Sequence, residues 1–561
     1  MKPQHPPPDG GVGEGGGSME GVFQWEGPIP LPPIPDMNFA VLLLEQMAAH
    51  GDAIAVVDAK THRSWRFAEL CRLVPRVSAG LAAAGVTLGQ HVLFLTPNDP
   101  DFGLAMLSVL SRGAVCVLAS PSLYPEKVKN AITMSGARWA IVHESVIPLA
   151  EEAFALLPSG TIRKMWIIGD VPGRSSLTHL MEYNPIAPVT QADGLDPARS
   201  TAFILFSSGT TGLPKGVMLS HRNFNASMTV RIYCKSIDHP RGISYLERYK
   251  VTLLAIPMYH IFGLTESIVN LVLGGKAVLM TKFSPKDFLE AIQTFKVTYL
   301  PIVPYLGKFL AETPLLEQYD VSTVKVIFSS GSSMPATTRT SLRLKMAAQL
   351  TDAYGMTEGC MHLVDSYFFP NNKDNAAGKV LPYVQLKVVD TTSGEVLGCG
   401  QEGEVLFRGP TTMLGYVNDP VATAATIDAQ GWIHSGDLGH FDQDGFLFIT
   451  GRLKDLIKVK GFQVSPAELE EQITKHPDVV DVAVVGVPHD RQGEAPRAYV
   501  VLRPGALTQP SHIQQFLADR VVSYKQLVGG VKFVDSLPRN PTGKVLKSQL
   551  KERLEISPSK L

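Results

Sequence analysis

The chain has 561 residues, 45% of them hydrophobic, and its 51 basic and 52 acidic side chains leave a formal net charge of −1. This length exceeds one compact domain and predicts several folded units. The balanced charge gives no electrostatic case for nucleic acid or an anionic membrane as a partner. The sequence contains no uninterrupted apolar run of about 18 residues, so no transmembrane segment is predicted. Five scattered cysteines without CxxC spacing indicate reduced thiols in an intracellular protein.

Residues 1–36 are rich in proline and glycine, as in Pro6-Pro7-Pro8 and Gly15-Gly16-Gly17. Such a segment cannot bury enough apolar surface to offset the entropy lost on ordering. We therefore predict a disordered tail that leads into an extended arm.

A globular pattern begins near Asn38 and alternates between helix and strand. Apolar residues at helical spacing predict helices over Phe39–His50, Phe67–Ala84, Asp101–Arg112 and Glu126–Ser135. Short apolar runs predict strands over Ala53–Val57, His91–Leu95, Ala114–Ala119 and Trp139–Val142. This alternation predicts an α/β region with a parallel sheet covered by helices.

A loop of small polar residues follows the predicted strand Thr201–Phe206. Its sequence is Ser207-Ser208-Gly209-Thr210-Thr211-Gly212-Leu213-Pro214-Lys215-Gly216. Glycines let backbone N–H groups approach a ligand closely, while hydroxyls and an ammonium group add donors and charge. The pattern indicates a polyphosphate-binding loop, with a Gly/Ser/Thr surface turn as the alternative. A Walker loop is disfavoured because Pro214 precedes Lys215 and Gly216 follows it.

Two later predicted strands also end in polar or small residues. Leu253–Pro257 leads to Tyr259 and His260, for which a packing histidine is the alternative, and Val324–Phe328 leads to Ser329-Ser330-Gly331. The segment Asp352-Ala353-Tyr354-Gly355-Met356-Thr357-Glu358 follows. There an aromatic ring can stack on a base, and the glutamate can hold Mg²⁺ as a hard oxygen ligand.

The C-terminal part changes character. Short strands separated by glycine turns between about 376 and 450 predict a β-rich subdomain. Asp437 lies in the segment Gly436-Asp437-Leu438-Gly439. It is either a turn residue or a carboxylate that accepts hydrogen bonds from two ribose hydroxyls. Ser465-Pro466-Ala467-Glu468 predicts a helix start with a capping box. Strands are predicted over Val479–Val487 and Ala498–Leu502.

A turn near the end presents one lysine, in Pro538-Arg539-Asn540-Pro541-Thr542-Gly543-Lys544-Val545. An ammonium group held on such a turn can reach into a cleft and stabilise a developing phosphate charge. The alternative is an exposed surface lysine.

These motifs, in this order, resemble those of the adenylate-forming enzymes, a superfamily of acyl-CoA synthetases, 4-coumarate–CoA ligases, firefly-type luciferases and peptide-synthetase adenylation domains. The resemblance spans about residues 38–555 and is strongest to the peroxisomal 4-coumarate–CoA ligase-like acyl-CoA synthetases. It implies an α/β fold with a large domain over 37–453, built of two α/β subdomains and a β-barrel-like subdomain. The predicted strands and helices up to residue 142 would belong to the first of these subdomains. A small, mobile α+β cap domain would cover 454–561.

The resemblance also implies the binding residues. Those that hold ATP phosphates would be Ser207, Ser208, Gly209, Thr210, Thr211, Gly212 and Lys215. Those around the adenine and the adenylate would be Ser330, Gly331, Asp352, Ala353, Tyr354, Gly355 and Thr357, with Glu358 as the Mg²⁺ ligand. The carboxylic acid would lie against Tyr259, His260, Gly263 and Met361.

The remaining implied residues lie towards the small domain. Asp437 would bind the ribose, Arg452 the ribose or a phosphate, and Lys454 would be the hinge between the domains. Lys458 and Gln463 would face the adenylate, and Lys460 and Gly461 would lie near coenzyme A. The catalytic residues would be Lys544, His260 and Lys458.

The implied reaction uses ATP and Mg²⁺ to convert a fatty or aryl acid to an acyl-adenylate, then transfers the acyl group to coenzyme A. Gly263 and Gly359 would leave room in the acyl pocket. However, Cys360-Met361-His362 departs from the small residues usual there. A luciferase-type oxidase remains an alternative. A non-catalytic homologue is disfavoured because the charged catalytic positions are all present, and a peptide-synthetase module because no carrier domain follows Lys544.

Ser559-Lys560-Leu561 matches the tripeptide read by the peroxisomal import receptor. It predicts that receptor as a partner and the peroxisome as the location.

Overall fold

A computed structural model of the chain describes residues 21–25, 30–207, 215–235, 243–366, 373–460, 462–539 and 543–555. The strands up to residue 452 are β1 Val22–Gln24, β2 Ile54–Asp58, β3 Ser64–Arg66, β4 His91–Leu95, β5 Val115–Ala119, β6 Trp139–His143, β7 Lys164–Ile168, β8 Thr201–Ser207, β9 Lys215–Ser220, β10 Val251–Leu254, β11 Lys276–Leu279, β12 Tyr299–Ile302, β13 Val326–Ser329, β14 Gln349–Met356, β15 Met361–Asp365, β16 Lys379–Val380, β17 Gln385–Val389, β18 Gly403–Arg408, β19 Gly415–Tyr416, β20 Ile433–Phe441 and β21 Leu447–Arg452. The later strands are β22 Ile457–Val459, β23 Phe462–Val464, β24 Val479–His489, β25 Gly493–Leu502 and β26 Val531–Phe533.

The α-helices are α1 Phe39–Ala48, α2 Phe67–Ala83, α3 Asp101–Ser111, α4 Pro125–Ser135, α5 Ile147–Ala155, α6 His221–Cys234, α7 Tyr245–Arg248, α8 Ile261–Leu273, α9 Pro285–Phe295, α10 Pro304–Glu312, α11 Ala336–Lys345, α12 Pro420–Thr426, α13 Pro466–Ile473, α14 Pro510–Ala518 and α15 Lys547–Glu555. Across the described ranges, none of the helices combines the length and the apolar character needed to cross a bilayer.

Two mainly parallel sheets form the body of the large domain. One has the order β19-β9-β8-β5-β4-β6-β7, and the other β16-β15-β14-β13-β12-β10-β11-β2-β3. The strands and helices predicted up to residue 142 are present within about two residues of their expected bounds. Their assignment to one sheet was wrong, because β2 pairs with β11 in the second sheet, where Val57 lies opposite Val278. Local periodicity predicts that a strand is buried, but it does not identify the neighbouring strand. The partner of β2 lies more than two hundred residues later in the chain.

A third, antiparallel sheet follows the order β1-β17-β18-β20-β21 and corresponds to the predicted β-rich subdomain. Its pairings run from β1 to β21, and an antiparallel bridge between Leu447 of β21 and Gly378 continues the pairing beyond that strand. The edge strand β1 lies within the segment predicted to be a disordered tail, and Phe23 is paired with Leu386 of β17. The tail boundary expected at residue 36 is therefore too late. Phe23 supplies the reason, because its ring stacks on buried Phe441 with 3.8 Å between centroids.

The small domain contains a sheet of order β23-β22-β25-β24, with β26 added alongside β25. The predicted helix start is present as α13, with Ser465 at its N-cap and Pro466 in its first turn. The predicted capping box is wrong. Ser465 Oγ instead donates to the Thr450 carbonyl at 3.1 Å, and Glu468 accepts from Lys525 Nζ at 2.7 Å. The serine thus ties the first helix of the small domain to the last strand of the large domain.

The two domains also meet through α10. Lys308 Nζ of this helix donates a hydrogen bond to the Val480 carbonyl of the small domain. The boundary expected at residue 454 falls in a short 3₁₀ turn over Leu453–Asp455, which joins β21 to β22.

Helix α8 is the element that places the acyl-side residues. Every residue from Ile261 to Leu273 is buried, so the helix is enclosed by protein around its whole circumference inside the large domain. His260 is its N-cap residue, and Gly274 ends it in the left-handed region with φ of +79°. Because the parallel strands β10, β13 and β14 all run towards the same edge of their sheet, the loops that follow them converge beside the start of α8.

We expect Phe23→Ala to lower the stability of the large domain by about 1–2 kcal/mol, because it removes a half-buried ring and its stacking on Phe441. The shift is measurable as a lower thermal unfolding midpoint. Val421→Ala is the matched control, since that side chain is 80% exposed. Equal midpoints for the Phe23 variant and the unmodified chain would show that β1 does not stabilise the domain.

Candidate active site

Ser207 and Lys215 stand opposite each other at the end of a β-hairpin. Ser207 is the last residue of β8, Lys215 is the first of β9, and the two are register partners. The predicted phosphate-binding residues between them, Ser208, Gly209, Thr210, Thr211 and Gly212, lie outside the described residues. A Walker loop opens a helix, whereas this loop joins two antiparallel strands. The hairpin therefore agrees with the exclusion of a Walker loop from the sequence.

Tyr416 brings Lys215 and Glu358 together. Its strand β19 pairs with β9, which places Tyr416 opposite Val217. Lys215 Nζ lies 4.7 Å from the centre of the Tyr416 ring, and the Tyr416 hydroxyl donates to Glu358 Oε1 at 3.0 Å. Burial and then the Glu358 carboxylate raise the pKa of Tyr416, so its phenol stays protonated and remains a donor.

Asp437 and Arg452 form an ion pair between neighbouring strands. They are register partners in β20 and β21, and Arg452 Nε lies 2.6 Å from Asp437 Oδ1. The Tyr354 hydroxyl donates to Asp437 Oδ2 at 2.9 Å. Burial acts to lower the pKa of Arg452, but Asp437 and the further groups around it together leave that pKa raised. The aspartate is therefore oriented by two donors and able to accept further hydrogen bonds from vicinal hydroxyls.

Lys544 of the small domain lies among charges of the domain junction. Burial lowers the pKa of Lys544 to about 8, and the next largest contribution is repulsion from Arg452. The preceding Gly543 has φ of +82°, and a Cβ there would lie 3.0 Å from Tyr305 Cβ of α10. The turn thus needs glycine to bring the lysine against the large domain. Residues 540–542 of this turn lie outside the described residues.

Lys454 lies in the turn between the domains. Partial burial lowers the pKa of Lys454, and Arg452 lowers it further, while Asp455 opposes both. Two lysines with lowered pKa values therefore share the neighbourhood of one arginine. Such a concentration of positive charge suits an anionic ligand.

The loops after β13 and β14 are joined by polar contacts. Ser330 Oγ donates to the Ala353 carbonyl at 3.2 Å. Asp352 accepts from both terminal nitrogens of buried Arg339, at 2.5 and 2.7 Å. Because this bidentate pair occupies its carboxylate, Asp352 fixes the strand end, and its predicted part in cofactor binding stays a prediction. The other predicted residues of these loops are Gly331 with φ of +91°, Gly355 at a β-bulge, and buried Thr357.

Tyr259 and His260 lie at the N-terminal end of α8, where His260 is the N-cap residue. Burial raises the pKa of Tyr259, while a hydrogen bond with Ser120 opposes that shift. Burial lowers the pKa of His260 to about 4, so its imidazole is neutral near pH 7. Neutral polar groups at this position fit the predicted contact with a carboxylic acid.

The expectation that Gly263 and Gly359 leave room for the acyl group is wrong. A Cβ on Gly263 would lie 2.1 Å from the Pro257 carbonyl oxygen, so this glycine allows α8 to start against the preceding loop. A Cβ on Gly359 would lie 2.9 Å from Leu363 Cδ2, so that space is already filled. Met361 begins β15, and its side chain lies outside the described part of the structure.

Lys458 and Gln463 are register partners in the β22–β23 hairpin. Both side chains are exposed, as is Lys460. Among the described contacts, no side-chain hydrogen bond or ion pair joins them to Asp437 or its partners. The structure thus brings Lys544 to the Asp437–Arg452 ion pair and leaves the hairpin outside it. Gly461 lies outside the described residues.

Two residues at the site carried no role in the sequence analysis. Tyr416 follows a glycine in an otherwise unremarked segment, and only its pairing with β9 reveals that it reaches Lys215. Arg339 lies on α11, and no spacing relates it to Asp352. Both act through contacts between elements that are distant along the chain, which is why local motifs did not reveal them.

Comparison with known proteins decides the family. A family model described as AMP-binding enzyme matches residues 43–417, and one described as AMP-binding enzyme C-terminal domain matches residues 468–544. The chain belongs to the AMP-binding enzyme family. The predicted resemblance to adenylate-forming enzymes is thereby confirmed, as is the combination of a large and a small domain.

Relatives of this AMP-binding enzyme match it over almost their whole length. A 4-coumarate–CoA ligase of Pinus taeda is 36% identical over 91% of this chain and 94% of its own. The peroxisomal OPC-8:0-CoA ligase 1 of Arabidopsis thaliana is 33% identical over 95% of this chain and 96% of its own. The crystal structure of ATP-bound MatB from Rhodopseudomonas palustris is 28% identical, with a TM-score of 0.82, covering 92% of this chain and 99% of that one.

We expect pyrophosphate release without coenzyme A to fall, at limiting ATP, as the pH rises through about 8. Lys544 has a lowered pKa of about 8, so above it the free AMP-binding enzyme loses the ammonium group that would balance phosphate charge. An ordinary lysine would titrate near 10.4. The measurement is the pH profile of kcat/KM for ATP, which reports groups of the free enzyme.

Lys544→Arg is the control for this profile, because a guanidinium group stays charged. In whatever activity that variant retains, the alkaline fall should move above about pH 10. A fall that stays near pH 8 in the arginine variant would assign the titration to another group.

We expect Tyr416→Phe to lower kcat/KM for ATP by roughly five- to tenfold, because Glu358 loses one charge-assisted hydrogen bond. Tyr416→Leu should lower it further, since Lys215 then also loses the aromatic ring. The measurement is exchange of labelled pyrophosphate into ATP. Tyr124→Phe is the matched control, with a side chain that is 77% exposed. Exchange at the unmodified rate in both Tyr416 variants would remove this residue from the site.

Proposed function

We propose that the chain joins a carboxylic acid to coenzyme A in two steps driven by ATP. A carboxylate is a poor acyl donor because its oxygen is a poor leaving group. In the first step a carboxylate oxygen bonds to the α-phosphorus of ATP, and the bond from that phosphorus to the bridging oxygen breaks, releasing pyrophosphate. In the second, the thiol sulfur bonds to the acyl carbon, the acyl–phosphate bond breaks, and AMP and a proton leave.

The observation that carries this proposal is the meeting of the two domains at one charged cleft. Lys544 from the small domain lies by Arg452 and Asp437, and the Tyr354 hydroxyl reaches the same aspartate. A nucleotide site needs a carboxylate for the ribose, an aromatic ring for the base and an ammonium group for the phosphates. Family membership supports the nucleotide as ATP.

In the first step, Lys544 would stabilise the negative charge that develops on the α-phosphate. Lys215 would hold the outer phosphates from the opposite side, positioned by the Tyr416 ring. His260 would stay neutral beside the acid and would leave the carboxylate ionised as a nucleophile. Fixed charges that face the developing charge lower the barrier without reorganising during the step.

Magnesium fits the residues of this site. Glu358 is buried, and Tyr416 holds one oxygen of its carboxylate, so the second oxygen can ligate a cation. No group of three or more His, Cys, Asp or Glu side chains able to hold a metal occurs in the part of the chain that the structure describes. A Mg²⁺ ion held by Glu358 would take its remaining ligands from nucleotide phosphates and water. When bound, the ion would neutralise phosphate charge.

In the second step, the small domain would turn about Lys454. Its hairpin carries Lys458 and Gln463 side by side and exposed, ready to replace Lys544 at the adenylate. Lys460 on the same hairpin would then lie near coenzyme A. Such an exchange lets one cleft serve two reactions in turn.

The acid is proposed to be a fatty or aryl carboxylic acid. Support comes from the relatives, which are named for 4-coumarate and for OPC-8:0.

A location in the peroxisome is supported by the name of the second relative and by the tripeptide Ser559-Lys560-Leu561, which lies outside the described residues. A fluorescent fusion that keeps this tripeptide accessible should appear in peroxisomes, and a diffuse signal would contradict the location.

The proposal is tested by separating the two half-reactions. The purified chain with ATP, Mg²⁺ and a panel of fatty and cinnamic-type acids should release pyrophosphate, and should form a thioester when coenzyme A is added. Lys544→Ala should lower pyrophosphate release by about a hundredfold or more. The same variant should still convert supplied acyl-adenylate and coenzyme A to thioester at close to the unmodified rate.

Lys532→Ala, at an exposed lysine of the small domain, is the matched control and should leave both half-reactions unchanged. Loss of both half-reactions in Lys544→Ala would contradict a role confined to the first step. Absence of pyrophosphate release with every acid would contradict the proposed function itself.

A further inference from the structure

An arginine of the small domain links the segment that carries Lys544 to the body of that domain. One terminal nitrogen of the Arg539 guanidinium donates to the Gly543 carbonyl at 2.6 Å. The other terminal nitrogen donates to Asp481 Oδ2, also at 2.6 Å. One planar side chain therefore holds both the peptide next to the lysine and a carboxylate of strand β24.

The backbone around this arginine turns back on itself. An antiparallel bridge pairs Arg539 with Val545, the residue after Lys544. Among the described contacts, the Gly543 carbonyl accepts a hydrogen bond from Arg539 alone. The lysine thus lies between a residue that the bridge holds and a residue that the arginine side chain holds.

Asp481 lies where the small domain touches the large domain. The preceding residue, Val480, accepts a hydrogen bond from Lys308 Nζ of α10. At the other end of the arginine, a Cβ on Gly543 would lie 3.0 Å from Tyr305 Cβ of the same helix. The arginine therefore connects two parts of the small domain that each contact α10.

Gly543 also lies close to the loop that follows β13. A Cβ on Gly543 would lie 3.8 Å from Val303 Cγ2, and a Cβ on Gly331 would lie 3.8 Å from Val303 Cγ1. The two glycines thus flank one valine side chain, just before α10 begins. Because Gly543 and Lys544 share a peptide group, a displacement of this glycine would displace the lysine as well.

Helix α15, which follows this segment, is attached to the small domain by other contacts. Lys547 Nζ lies 2.7 Å from Glu470 Oε1 of α13, and the Tyr499 hydroxyl donates to the Leu550 carbonyl at 3.2 Å. Loss of the arginine would therefore leave α15 docked and would affect mainly the orientation of the segment before it.

The ion pair between Arg539 and Asp481 contributes little to the stability of the fold. Their side chains are 28% and 27% exposed, and charged groups that remain partly hydrated gain little net free energy from pairing. Such a pair can still matter to a reaction, because a displacement of about 1 Å at a reacting group can cost about a hundredfold in rate.

We propose that Arg539, anchored by Asp481, is a positioning residue that orients Lys544 for the step that releases pyrophosphate. This inference rests on the proposed ligase function and identifies the support of its first step. Neither residue contacts the nucleotide. Each acts through the Gly543 peptide group, which the guanidinium holds at a fixed distance from β24.

The test uses the two half-reactions of the full chain. Arg539→Met should lower pyrophosphate release by roughly tenfold, and should leave the conversion of supplied acyl-adenylate and coenzyme A to thioester unchanged. Arg539→Lys should lose less, because its ammonium group can still reach one of the two acceptors. Asp481→Asn should lower pyrophosphate release by roughly threefold, because the arginine keeps its bond to the Gly543 carbonyl. This variant keeps the test valid if Arg539→Met folds poorly.

Two combinations of variants test whether the arginine acts through the lysine. In the Lys544→Ala background, Arg539→Met should lower pyrophosphate release no further. In the Arg539→Met background, Asp481→Asn should also add nothing, because the carboxylate then has no arginine to hold. Additive losses in either combination would show independent action and overturn the inference.

The pH profile gives a readout that a loss of stability alone would not move. The charged groups that act on Lys544 are Arg452, Asp437, Lys454 and Asp455. In Arg539→Met the lysine is held less firmly among them and is less buried, so its pKa should rise towards the ordinary value of about 10.4. The alkaline fall in kcat/KM for ATP should therefore move upwards from about pH 8. A tenfold loss with the fall still near pH 8 would contradict positioning.

Arg497→Met is the matched control. Arg497 is another half-buried arginine of the small domain, and its Nε donates to the Gly529 carbonyl at 2.6 Å. This variant also removes a bond between an arginine and a glycine carbonyl, but at a distance from Lys544 along the chain. It should leave both half-reactions and the pH profile unchanged.

The outcomes separate this inference from the proposed function. Pyrophosphate release at the unmodified rate in Arg539→Met would overturn the inference and leave the ligase standing. So would an equal loss of both half-reactions in that variant, or the same losses in Arg497→Met. Absence of pyrophosphate release by the unmodified chain with every acid would overturn both.

Discussion

The candidate site depends on one buried carboxylate. Asp437 is 4% exposed and is held by Arg452 from the adjacent strand and by Tyr354 from the end of β14. These contacts connect the third sheet to the second parallel sheet. Arg452 also acts on Lys544 of the small domain. A single charge thus sets the arrangement of elements that are otherwise separate in the chain, because a buried carboxylate must keep its donors.

Around this pair the site accumulates positive charge. Burial and repulsion from Arg452 lower the pKa values of Lys544 and Lys454, which reflects the electrostatic cost of placing these cations close together. A nucleotide would reverse that cost by bringing phosphates into the same volume. The repulsion among these cations and their affinity for an anion are therefore two aspects of the same charge distribution.

Much of the fold could be predicted from the sequence, because strand and helix periods are local, and the contiguous loop motifs pointed to Tyr354, Asp437, Arg452 and Lys544, which the structure brings together. The rest depended on distant contacts. The partner of β2 lies at residues 277–279, and β1 is ordered through Phe441. The predicted capping box is absent for the same reason, since Ser465 Oγ donates its hydrogen bond to the Thr450 carbonyl. Gly263 was misread because its nearest neighbour is the Pro257 carbonyl rather than a substrate.

The predicted phosphate-binding loop lies between the antiparallel strands β8 and β9, which has a consequence for how charge is supplied. When a phosphate loop opens a helix, the helix macrodipole provides a fixed partial positive charge that stays in place throughout a reaction. Here β9 follows the loop, so that contribution is missing on this side and the balance falls to side chains such as Lys215 and Lys544. A charge on a side chain of a separate domain can be removed by moving the domain, whereas a backbone dipole cannot. In the proposed two-step reaction, the field that favours loss of pyrophosphate could thus be switched off before the thiol arrives.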